Sequence, residues 1–157
     1  MSVTVQEVKE RLAALELLIE GVTSSNVRAP RKLVEVELPT FVNRVADATY
    51  SKTNFGEQIT QITRLYRLEL YVVTYSLGIE GEAEEKVEPF IDRVGEFFLD
   101  RIGLELAGSD AIVHQATLET DTGVAVSIPY PGTTDKLYAG ILFSLRVSTL
   151  HQRAYKR

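Results

Sequence analysis

Apolar residues along this chain follow two rhythms, one repeating every three or four positions and one every two. Val5, Val8, Leu12, Leu15, Leu18 and Ile19 keep helical spacing behind Thr4-Val5-Gln6-Glu7, which fits a capping box, and Gly21 supplies a stop. A first helix is predicted there. Val87, Phe90, Ile91, Val94, Phe97, Phe98 and Ile102 predict a second helix, entered from a Gly78 to Gly81 turn with Pro89 near its start.

The two-residue rhythm marks strands. Val34, Val36 and Leu38 alternate with Glu35 and Glu37, predicting a strand that Pro39 bends or confines to an edge before Phe41 to Val45 continue it. Between Thr60 and Tyr75 the even positions Ile62, Tyr66, Leu68, Leu70 and Val72 make one apolar face. Tyr71, Val73 and Tyr75 make the other face apolar as well, so this end needs cover on both sides. Either a neighbouring subunit or the segment from Val22 to Lys32 would supply it. Ile112 to Glu119 and Val124 to Ile128 alternate on either side of Asp121-Thr122-Gly123, which predicts a hairpin. Leu137, Ala139, Ile141, Phe143, Leu145 and Val147 share one face of a last strand expected near the sheet centre.

These elements predict one α+β domain over residues 1–157, with two helices packed on one face of a mainly antiparallel sheet of about five strands. A polar, basic arm at about 22–33 connects the first helix to the sheet, and a basic end occupies about 150–157. The length of 157 residues suits a single core, and neither repeats nor low-complexity tracts divide the chain.

Composition narrows the chemistry. There is no Cys, which excludes thiol nucleophiles, disulfides and Cys-ligated metal sites. The first residues show no basic segment followed by an apolar run, and no apolar stretch reaches the roughly 18 residues of a spanning helix, so neither secretion nor membrane insertion is expected. The formal charge of −5 disfavours a surface that coats nucleic acid. Charge is unevenly placed: Glu80, Glu82, Glu84, Glu85, Glu88, Asp92 and Glu96 face only Lys86 and Arg93 in their segment, while Arg146, Arg153, Lys156 and Arg157 follow the last acid.

Asp121-Thr122-Gly123 matches the catalytic triplet of aspartic proteases, in which two carboxylates share a proton. Such a site would need two copies. Glu119 and Thr120 stand where those enzymes carry apolar residues, and the triplet is equally what a turn requires, so the turn is the reading adopted. His114, on an apolar strand face, has no nucleophile or metal-ligand partner at useful spacing, and His151 falls in the polar basic end, where solvent exposure is expected. The acids from Glu80 to Glu96 lack the ligand spacing of a calcium loop, and Gly78-Ile79-Glu80-Gly81 lacks a phosphate-binding pattern. No metal, cofactor or catalytic residue is expected. A small-molecule-binding module would instead require an apolar pocket between sheet and helices.

The order of elements resembles the tail terminator (tail completion) proteins of long-tailed bacteriophages. The resemblance runs through Leu38-Pro39, through Thr63-Arg64-Leu65-Tyr66-Arg67-Leu68, and through Val87-Glu88-Pro89-Phe90-Ile91-Asp92-Arg93-Val94. Phe97-Phe98 and Tyr138-Ala139-Gly140-Ile141-Leu142-Phe143-Ser144-Leu145 complete it. It implies a structural virion protein without enzymatic activity: a ring, in that family of six subunits, that caps the head-proximal end of the tail tube and stops its polymerisation. Partners implied are further copies of the chain, the tube protein, the head-tail connector or stopper, and DNA passing without specific binding; the place is the virion, and the host cytoplasm during assembly. Neighbouring connector, stopper and tube proteins share the general pattern. A ring needs two complementary patches on each subunit. Tyr71, Val73 and Tyr75, with Arg28, Arg31 and Lys32 of the arm, are the candidate subunit contacts, and Glu80, Glu82, Glu84, Glu85 and Glu88 are candidates to face the channel.

Overall fold

The computed structural model describes residues 4–55, 57–101, 103–104, 112–132 and 135–153, in part without side chains (52–59, 112–114, 152–153). Helix α1 (Val5–Glu16) is followed by strands β1 (Ser24–Asn26), β2 (Thr40–Phe55) and β3 (Glu57–Tyr75), helix α2 (Glu80–Leu99), and strands β4 (Ile112–Asp121), β5 (Ala125–Pro129) and β6 (Leu137–Arg153). The sheet runs β1-β2-β3-β6-β4, with β5 also paired to β6. All pairings are antiparallel except β1 with β2. The α+β architecture and the central place of β6 agree with the sequence. The sixth strand is the short parallel β1, which lies inside the predicted arm.

The capping box is present: Glu7 N–H donates to Thr4 Oγ1 at 3.1 Å and Thr4 N–H to the Glu7 carboxylate at 3.4 Å. The helix ends at Glu16, earlier than the periodicity suggests, and turns continue to Gly21 at φ +92°. A Cβ at Gly21 would stand 2.9 Å from Arg93 Nη1 and 3.0 Å from Phe90 Cζ, so the missing side chain lets the exit of α1 cross α2. The second helix starts at Glu80, seven residues before the apolar repeat shows it, which puts Pro89 inside the helix. Its opening turns are acidic and solvated, so hydrophobic periodicity is silent there.

Val8, Leu12 and Leu15 from α1, Ile19 from the turn after it, and Val87, Phe90, Val94 and Phe98 from α2 bury themselves against Leu68, Leu70, Phe143 and Leu145 of the sheet. Burying each such side chain contributes about 1.5–3 kcal/mol, which makes this single-faced layer the main source of stability. A smaller cluster of Leu33, Val42, Tyr71, Tyr130 and Tyr138 occupies the opposite face.

Three expectations are corrected. Glu35–Glu37 form a 3-10 turn, not a strand, and Val36 is 82% exposed. Alternation there has no sheet partner; Ser24 Oγ donates to Glu37 O, and Thr23 N–H to Pro39 O, so the arm claims the backbone a strand would need. The peptide before Pro39 is cis. Secondly, β2 and β3 are one hairpin of 16- and 19-residue strands, roughly 50–60 Å long, closing at Phe55 and Glu57. Its outer half is mostly polar in sequence, from Asp47 to Gln61, which leaves no regular apolar alternation to read.

Thirdly, Asp121-Thr122-Gly123 does not turn a hairpin. Both β4 and β5 pair with β6, β4 along Phe143 to Leu150 and β5 along Leu137 to Gly140, so the triplet bends one continuous edge. Thr122 N–H donates to Leu142 O at 3.1 Å, Leu142 N–H donates back to Thr122 Oγ1 at 3.1 Å, and Gly123 N–H donates to Asp121 Oδ1 at 2.8 Å. A threonine hydroxyl thus stands in for a backbone carbonyl where the strand leaves register.

Candidate functional site

Tyr71, Val73 and Tyr75 do not form one surface. A bulge between Tyr71 and Val73 breaks the alternation: Tyr71 pairs with Gly140 on the face away from the helices, whereas Val73 and Tyr75 pack towards the helix layer. Tyr71 is only 4% exposed, its ring edge-on to Tyr130 at 5.6 Å and Tyr138 at 5.7 Å. Tyr130 in turn donates its hydroxyl to Pro30 O, and Leu33 is buried in the same cluster. Tyr130 and Tyr138, with Leu33 just past Lys32, supply most of the cover, and the segment from Val22 to Lys32 joins in only where Pro30 O holds Tyr130; burial within the chain accounts for Tyr71. Tyr75 donates its hydroxyl to Glu80 Oε1 at 2.7 Å, which holds the Glu80 carboxyl below its ordinary pKa.

The arm is anchored along its length. Ser24 to Asn26 pair with Thr40 to Val42, and Asn26 Nδ2 donates to Phe41 O at 3.0 Å. Arg28, Arg31 and Lys32 project from it into solvent, with Arg28 reaching Gln6 Oε1 at 3.4 Å. They stay available to a partner, whereas Tyr71 does not.

Glu80, Glu82, Glu84, Glu85 and Glu88 are all exposed on α2, and Asp92 and Glu96 extend the same solvated face. Ala83, Val87, Phe90, Val94 and Phe98 take the buried side, so the helix separates charge and core cleanly. Pro89 sits on the exposed side, where the backbone carbonyl it leaves without a helical donor can be hydrated.

Between β2, β3, β5 and β6, on the face away from the helices, lies a mostly apolar groove of about 380 Å³. Ile128, Pro129 and Pro131 form one wall, and Arg44 and Glu69, ion-paired at 2.7 Å, form part of the other. Tyr71 donates its hydroxyl to Glu69 Oε1 at 2.9 Å, and burial together with that carboxylate pushes the phenol pKa up. This groove is not the pocket between sheet and helices that a ligand-binding reading required.

The sequence reading missed Glu16, which falls on the apolar face of α1, four residues after Leu12 and eight after Val8. That position is the signal that could have found it. Its Oε1 accepts from Ser25 Oγ and from Asn43 Nδ2, each at 2.7 Å. Asn43 Nδ2 also donates to Asn26 O at 3.0 Å, so one carboxyl ties α1, β1 and β2 together. Glu16 Oε2 and Asn43 Oδ1 are buried with no partner. Burial outweighs the two hydrogen bonds and pushes the Glu16 pKa up to about 8, so the group is mainly protonated at neutral pH.

Asp121 is exposed, with Oδ1 engaged in the local turn. His151 lies half-buried in β6, its Nε2 2.8 Å from Thr149 Oγ1, which corrects the solvent-exposed tail expected for it. The backbone of His114 belongs to β4; its side chain, and residues 154–157 of the basic end, lie outside the described residues. Among the described residues no three His, Asp or Glu side chains converge as a metal site requires, and no helix is long and apolar enough to cross a membrane. No protein-family model matches the chain, and no curated protein matches it in sequence.

Proposed function

We propose that this chain is the subunit of a closed ring, six-membered by its resemblance to tail terminators, that caps the head-proximal end of a bacteriophage tail tube and joins the tail to the neck. The observation that carries the reading is the acidic face of α2, where seven carboxylates project from one side of a helix whose other side is core. Turned towards a channel, such a wall repels phosphate along its length and lets DNA pass without the counterion-releasing contacts that basic side chains make. The exposed Arg28, Arg31 and Lys32 face other partners, a neighbouring subunit or the tube end, to which opposite charge steers them. The role is architectural and uses no cofactor.

Native mass spectrometry over a wide concentration range, with negative-stain images of large species, tests the ring. Closed six-subunit rings that halt polymerising tube protein are expected. Open-ended cylinders would make the chain a tube protein, and a monomer that leaves tube growth unchanged would overturn the proposal. The channel assignment has its own test: replacing Glu82, Glu84, Glu85 and Glu88 with Lys should leave rings intact and slow DNA ejection. Unchanged ejection kinetics would remove the acidic face from the channel.

A further inference from the structure

Four strands cross the sheet in the order β2, β3, β6, β4, each antiparallel to its neighbour. Strand β1 covers the outer edge of β2 only from Thr40 to Val42. Among the described residues nothing pairs with that edge from Asn43 to Phe55, nor with the outer edge of the 10-residue β4. Neither stretch contains Pro. A row of unpaired N–H and C=O groups is a template for another strand, and proteins that stay monomeric ordinarily shorten or block such edges. Bulges interrupt both edges, at Val45/Ala48 on β2 and at Val113/Gln115 and Leu118/Thr120 on β4, leaving straight runs at 48–55 and 115–118.

We propose that β4 of one copy pairs with β2 of the next, so that the sheet continues from subunit to subunit around the ring. This deepens the ring reading and rests on it. Strand direction alternates across the sheet, so β4 runs opposite to β2. Rotation about a ring axis carries each copy round without inverting its strands, so the next copy's β2 arrives antiparallel to β4 and the alternation is unbroken. The two edges are different surfaces of the chain, which is the heterologous contact a ring requires.

The rows across the sheet show what would meet at equal height. One row is Ala48, Arg64, Val147 and Ala116; another is Thr49, Thr63, Ser148 and Gln115; a third is Val45, Tyr66, Leu145 and Leu118. Val45, 40% exposed, ends a row that Tyr66 and Leu145 bury, and Leu118 at the other end packs against the same core. Joining the edges brings these two half-covered apolar ends together on the helix-bearing face. Arg44, ion-paired within its own copy to Glu69, shares its row with Arg67, Ser144 and Thr120, which places it level with the acidic end of β4, where Arg146 holds Glu119 and Asp121 is exposed.

The absence of Cys makes cross-linking a clean test. Single Cys variants at the exposed positions Val45, Thr49 and Ser51 are mixed with single variants at the exposed Gln115, Thr117 and Glu119, and the double variant Thr49→Cys/Gln115→Cys is oxidised alone. Within one copy the two edges are three strand spacings apart, about 14 Å, beyond the reach of a disulfide, so any bond joins two copies. The expected result is cross-linking in which later β4 positions choose earlier β2 positions, the signature of antiparallel pairing whatever the stagger. The double variant should give a denaturing-gel ladder that stops at the ring size. Rings seen by native mass spectrometry with no cross-link at any combination would overturn the edge pairing and leave the ring standing. Ladders running on without limit would support the pairing and overturn the ring; neither rings nor ladders would overturn both.

Discussion

Replacing Glu16 with Gln isolates the one buried carboxyl that α1, β1 and β2 share. In the folded protein this group keeps its proton up to about pH 8, whereas in the unfolded chain it loses it near 4.5. Between those values the unfolded state binds fewer protons than the folded state, so stability falls as pH rises. The favourable contribution is complete below about pH 4.5 and is lost as pH rises to 8, after which both states are ionised. The slope is about 1.4 kcal/mol per pH unit for one group, which gives a ceiling on the order of 4–5 kcal/mol across the window. Gln is isosteric and neutral throughout; its carbonyl accepts what Ser25 and Asn43 donate to Oε1, and its amide puts a donor in place of the unpartnered Oε2, in a site that also holds the unpartnered Asn43 Oδ1. Glu16→Gln should therefore match the parent at pH 5 within about 1 kcal/mol and exceed it by about 3 kcal/mol at pH 8. Urea unfolding of both proteins from pH 4.5 to 8.5 measures the difference directly. Parallel profiles, with the gap changing by less than about 0.5 kcal/mol, would show that Glu16 ionises in the fold and refute the reasoning.

Gly140 faces the β3 bulge so closely that a Cβ would lie 1.8 Å from Leu70 O, and Gly140→Ala should cost about 3 kcal/mol or more, read as a lowered urea midpoint. A loss under 1 kcal/mol would mean that the bulge yields. Tyr130→Phe removes the hydroxyl that holds Pro30 O and should raise amide exchange in β1 and the arm while leaving α2 unchanged. Thr122→Val removes the side-chain acceptor of Leu142 N–H and should cost about 1–2 kcal/mol, with Thr122→Ser recovering most of it. Thr4→Ala should cost about 1 kcal/mol through the lost helix cap, measured by thermal unfolding.

The groups behind these effects were unequally legible in the residues. The cap at Thr4, the apolar stripes of both helices, and the alternation of β3 and β6 could be read because each reflects a single buried face with its own period. Long β2 could not, because beyond Val45 its sequence is mostly polar and carries no regular apolar alternation. The bulge after Tyr71 also left no mark: inserting a residue into one strand changes pairing without changing composition, and it sent Val73 and Tyr75 towards the helices while Tyr71 went the other way. The same holds for Asp121-Thr122-Gly123, whose turn chemistry suits a reversal as well as the bend it makes along β6.

The sequence by itself determined the class of fold, the location of the helix-facing core and the separation of charge along α2, because local periodicity is enforced wherever one side of an element meets water and the other does not. Only the tertiary structure decided that part of the arm becomes a strand beside β2, that Glu16 is enclosed by Ser25 and Asn43, and that, among the described residues, β4 and the stretch of β2 beyond β1 are left as two open edges. Those outcomes depend on which distant segments share a sheet and in what register, and backbone hydrogen bonds, which set that pairing, carry no signature of their own in the side chains.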